Sequence, residues 1–157
     1  MNTNAQIAIT DLFLSLIIFI VLMTAFSFFW TLYLTRFNDN LQRQELELLA
    51  YHISDLLVKT PGYPDLWEQD PNNTRILGLA KQDRVLSQEK ISAFANLTYN
   101  QTKTIFNIER YNYYLLIQKN GTALYETNTL PSGSSVTVRR TATYDNQPTL
   151  VQFTLGQ

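Results

Sequence analysis

From Leu12 to Leu34 the chain runs through 23 residues without a charge, a proline or a glycine. As helix that is about 35 Å, at ~1.5 Å rise per residue, and enough to cross a bilayer. Only Ser15, Thr24, Ser27 and Thr31 interrupt the apolar side chains. Their hydroxyls can bond back to carbonyls one turn earlier, so they cost little in lipid. Trp30 and Tyr33, followed by Arg36, have the character of an interfacial belt. All 12 Lys and Arg residues lie at or beyond Arg36, which separates a nearly uncharged block from a mixed-charge one. The second block is long enough to bury its own core.

Beyond the run, apolar residues at Phe37, Leu41, Leu48, Leu49, Ile53 and Leu56 keep a helical spacing. The expectation is one helix over 6–58, with a membrane-spanning part at 12–34 and an amphipathic second half, ended by Thr60-Pro61-Gly62. Residues 59–157 then form a head. Ser87 is placed to N-cap a short helix with Glu89 in its first turn, and Ile91, Phe94 and Ala95 form its buried stripe. A second helical stretch, "YNQTKTIFNI", follows. Asn120-Gly121 predicts a hairpin. "SSVTVRRTATY" and "TLVQFTLG" alternate as strands around the turn "DNQP". The predicted class is α+β, with the long helix packed on a head of one antiparallel sheet of about four strands and one or two short helices.

The absence of cysteine removes disulfides, Cys-ligated zinc and thiol chemistry from consideration. A net charge of −1 with no basic stripe gives no reason to expect nucleic acid as a partner. His52 is the one histidine and reads as a core-edge residue beside Leu48, Leu49 and Leu56. Asp65, Glu68 and Asp70 read as a solvated acidic loop rather than a calcium site. Arg140 falls in the apolar phase of its strand and reads as a snorkelling side chain at a sheet edge. No nucleophile, metal or phosphate motif stands out, so no enzyme activity and no cofactor is expected.

Four N-x-[ST] sequons place candidate glycosylation at Asn72, Asn96, Asn100 and Asn120, which would require an exported head. The positive-inside rule, resting on Arg36 and Arg43, points to the opposite orientation.

The start "AQIAITDLFLSLIIFIVLM", with "TPGYPDLWE", "ILGLA", "LSQEKISAFANLTYNQTKTIFNI" and "YNYYLLI", resembles archaeal type IV pilin-like proteins with a class III signal peptide. The resemblance implies a leader at 1–5 cut between Ala5 and Gln6 by a prepilin peptidase. It further implies a membrane-held surface glycoprotein that packs with itself or other pilin-like subunits through the N-terminal helix. On this reading Asp11 pairs with a neighbouring subunit's terminal amine; the other reading is an acid at the membrane interface near a helix start. Asn4-Ala5 stands where that family carries a basic residue. Bulky Phe13, Phe19, Phe26, Phe28 and Phe29 outnumber small residues in the span, which favours a minor or accessory subunit. The alternative is a bitopic protein whose extracytoplasmic head binds a ligand or partner without polymerising.

Overall fold

The computed structural model describes the backbone of residues 3–127 and 129–157, and side chains from Asp11 onward except at 38, 39 and 128. Helix α1 covers Thr3–Lys59. By internal contacts the chain divides into Met1–Gln42 and Arg43–Gln157, so α1 from Arg43 to its end at Lys59 belongs with the head.

In the head, strands β1 (Gly62–Tyr63) and β2 (Ile76–Leu77) make a small antiparallel pair. Strands β3 (Ala80–Gln82) and β4 (Val85–Leu86) follow, then helices α2 (Gln88–Asn96) and α3 (Tyr99–Phe106). Strands β5 (Asn112–Lys119), β6 (Thr122–Glu126), β7 (Ser135–Tyr144) and β8 (Gln147–Gly156) complete the chain. The main sheet has the order β3-β4-β7-β8-β5-β6. The α+β class holds, but the sheet has six strands rather than about four, and β4 pairs with β7 in parallel.

The four strands expected from alternation, β5 to β8, are all present, and their register explains the core. Val138, Phe153 and Leu115 stand side by side across β7, β8 and β5, as do Val136, Leu155 and Tyr113. Leu46, Ala50, Ile53 and Leu57 of α1 join the same core, as do Ile91 and Phe94 of α2. Ala93 rather than the expected Ala95 is the buried alanine of α2. The other face of β7, carrying Thr137, Arg139 and Thr141, is exposed.

Strands β3 and β4 have a cause in the helix they follow. The last carbonyls of an α-helix lack intrahelical donors and need others. The backbone N–H of Leu79 donates to Leu57 O at 2.9 Å and that of Arg84 to Val58 O at 3.0 Å. The chain after α1 therefore doubles back as extended backbone and satisfies the helix end.

Ser87 caps α2 as expected, accepting from the Lys90 N–H. Thr98 breaks the two helices apart by capping α3, with Gln101 completing a capping box. The Asn120-Gly121 turn has positive φ at both residues, as its hairpin requires.

Candidate functional site: an apolar helix and the sequon asparagines

In the N-terminal unit, every described side chain from Asp11 to Phe37 is exposed. The helix is long and apolar enough to cross a membrane. Its threonine hydroxyls bond back to the preceding turn, as a membrane helix would require. Thr24 donates to Ile20 O at 2.8 Å, and Thr31 donates to Ser27 O at 3.0 Å. Phe26, Trp30, Tyr33 and Phe37 form a ladder along one face, with successive ring centroids 6.1 to 6.5 Å apart. Trp30 and Tyr33, expected to form an interfacial belt, sit within it. Asp11 is exposed within this chain. Ala5 and Gln6, the expected processing positions, lie outside the described side chains.

Between Arg43 and Lys59 the helix has two differently placed apolar stripes. Leu46, Ala50, Ile53 and Leu57 are buried in the head. Leu48 follows Leu46 by about 200° around the helix, at ~3.6 residues per turn, and so faces away from them. It is 72% exposed, and Tyr51, one turn on, is 52% exposed. The sequence expectation grouped Leu48 with Ile53, yet the sheet takes Leu46 and Ala50 instead. His52 sits on the exposed side and is not a core-edge residue.

Arg140 is not left to snorkel. Its Nη2 lies 2.8 Å from Asp55 Oδ1, its Nε lies 3.4 Å from Ser54 Oγ, and its guanidinium sits over the Tyr51 ring. The Asp55 contact is an ion pair at close range rather than an aligned hydrogen bond. Lys59 Nζ donates to the other Asp55 oxygen at 2.7 Å. The hydrogen bond from Lys59, helped by the Arg140 charge and opposed by partial desolvation, holds the Asp55 carboxyl below its usual range.

The acidic loop is organised by a buried cation that sequence reading missed. Lys90 Nζ donates to Pro61 O at 2.7 Å, Asp65 O at 2.6 Å and Glu68 Oε2 at 3.0 Å. Trp67 is fully buried beside it, its indole N–H shared between Pro61 O and Gly78 O. Glu68 thus neutralises Lys90, while Asp65 and Asp70 stay exposed. No group of three or more acids and histidines suited to a metal occurs among the described residues. The available signal was that Lys90 shares a helix face with Ala93 and Phe94, three and four residues on.

The sequon asparagines Asn72, Asn96, Asn100 and Asn120 are all exposed. Asn72 and Asn100 line one open groove of about 430 Å3, with Pro71, Thr74, Leu97 and Ile105 among its other walls. Asn96 ends α2 immediately before Leu97. Asn120 lies apart, in the turn between β5 and β6, with its amide donating to Gln147 Oε1 at 2.8 Å. A hydroxyl under this region is tightly held: Thr102, 1% exposed, donates to Tyr99 O at 2.8 Å and meets the Tyr113 hydroxyl. Burial pushes the Tyr113 phenol well up, so it stays protonated.

Compared with known proteins, the chain matches no family model, no curated protein and no solved structure.

Proposed function

We propose that this chain is a type IV pilin-like surface protein. It is a structural or accessory subunit of a filament or its assembly machinery, held in the membrane by α1 until it assembles, with its head outside the cytoplasm. The supporting observation is Leu48, largely exposed on the head's own stretch of α1 and opposite the residues that the helix buries, with half-exposed Tyr51 beside it against Arg140. A helix that only anchors a head needs apolar surface within the bilayer and against its own core. A helix that also packs against neighbouring subunits needs a further apolar face on the head's own stretch, and here there is one. Leaving lipid for a helix bundle gains little from hydrophobicity alone, so close packing and paired polar groups must drive the assembly. Asp11 supplies such a polar group, since a carboxylate taken into a bundle requires a cationic partner. A prepilin peptidase cutting before Gln6 would free the terminal amine that serves as that partner.

The groove between Asn72 and Asn100 favours one second reading, a membrane-anchored head that binds a ligand without polymerising. The two readings differ at the N-terminus. Mass spectrometry of the N-terminal peptide, comparing sheared surface filaments with whole membranes, separates them. The filament reading expects chains beginning at Gln6, enriched in the sheared fraction. Chains retaining the residues before Gln6 and confined to membranes would overturn it in favour of the anchored head.

A further inference from the structure

The four sequons are equivalent in sequence and differ sharply in the fold. Transfer of an N-linked glycan joins the Asn Nδ2 to the anomeric carbon of a sugar. The bond between that carbon and the phosphate oxygen of a lipid-linked oligosaccharide breaks; the phosphate leaves with the electron pair, and the amide gives up one proton. The transferase must reach the amide and the hydroxyl two residues on together, from backbone it can draw into an extended path.

Three sequons fail that requirement in the folded head. At Asn100 the tripeptide lies inside α3, and the Thr102 hydroxyl is buried between Tyr99 O and the Tyr113 hydroxyl. At Asn72 the tripeptide begins in a 3-10 turn (Pro71–Asn73), and among the described residues Thr74 Oγ1 is buried without a partner. At Asn120 the asparagine has φ 50°, its amide is bonded to Gln147, and Lys119 and Thr122 pair on either side of the turn.

Asn96 meets it. The side chain is exposed at the last residue of α2, and among the described residues its amide makes no hydrogen bond. Leu97 (φ −72°, ψ 143°) and Thr98 (φ −72°, ψ 150°) already run extended. Thr98 is exposed, and among the described residues its hydroxyl engages only the α3 cap, donating to Gln101 Oε1 at 2.9 Å and accepting from the Gln101 N–H at 3.3 Å.

We propose that Asn96 is the residue at which the folded head accepts an N-linked glycan from a lipid-linked oligosaccharide. This rests on the reading that the head lies outside the cytoplasm. The glycan leaves the surface beside the groove that Leu97 lines.

The test uses the chain purified from its native membranes as parent, Asn96→Gln and Asn100→Gln, with site-localising fragmentation of the tryptic peptide 91–103. The expected result is one glycan on that peptide in the parent, absent in Asn96→Gln and retained in Asn100→Gln. A glycan retained in Asn96→Gln, or a bare 91–103 peptide with or without modification at Asn72 or Asn120, overturns the assignment. A companion Glu109→Cys variant, at an exposed position in a chain without native cysteine, is treated on intact cells with a membrane-impermeant maleimide. Labelled cells with a bare head overturn Asn96 alone. Unlabelled cells overturn the orientation of the head as well.

Discussion

At the scale of single residues, Asp55 shows how the helix is tied to the sheet by charge as well as by packing. Its carboxylate is held by Lys59 from its own helix and by Arg140 from β7. Because its folded pKa lies below the unfolded value, the stability it contributes is fully present above the ordinary carboxylate range. That stability is lost as pH falls through the depressed folded value. Its side chain is 37% exposed, so solvent screening keeps the contribution to about 1 kcal/mol or less. Asp55→Asn should therefore be slightly less stable than the parent at neutral pH, with the difference closing in acid. Denaturant melts of both proteins across the acid range check this; a difference that grows in acid would reverse the assignment. Lys90 belongs to the same scale, but its three acceptors show it pinning a loop rather than balancing a surface.

Among the elements, the stretch after α1 carries the least visible part of the fold. Gly78 lies where the chain passes close to the end of α1, and a Cβ there would fall on Thr60 O and the Gly62 nitrogen. Both are backbone atoms that cannot swing aside. Gly78→Ala should cost about 3 kcal/mol, roughly 10 °C or more in Tm for a head of this size. Gly121→Ala meets nothing within 4 Å and bears only the strain of its φ of +85°, so it should cost about 1 kcal/mol. Equal melting shifts for the two would show that the close approach at Gly78 is unimportant.

The same stretch marks the limit of what could be read in advance. Strands β5 to β8 are five to ten residues long, and their alternation or hairpin turn declares them. Strands β3 and β4 have three and two residues, too few to alternate, and the turn between them uses Arg84 at φ 59° rather than glycine. Their reason for existing is tertiary, namely the open carbonyls of a helix more than twenty residues away from β4. The candidate acceptor asparagines were legible as sequons. Which of them the fold leaves open was not, because that depends on where Thr74, Thr98 and Thr102 point their hydroxyls.

For the whole molecule, the decisive question is what the outward stripe of α1 is for, and a paired substitution separates its two apolar faces. Leu46 and Leu48 are neighbours in sequence and opposites in environment, 1% and 72% exposed. Leu46→Ala opens a cavity in the head and should cost about 2–5 kcal/mol. Leu48→Glu touches no core and should leave head stability within about 0.5 kcal/mol. If α1 packs against other subunits, Leu48→Glu places a charge in a dry helix contact, where an unpaired carboxylate is strongly disfavoured. Its recovery in the sheared surface fraction should then fall at least tenfold, while its level in membranes and the melting of its head stay at parental values. An anchor has no use for Leu48 beyond its own chain. Unchanged recovery of Leu48→Glu in the sheared fraction would therefore show that this face makes no subunit contact, and would leave the exposure of Leu48 without a part in assembly.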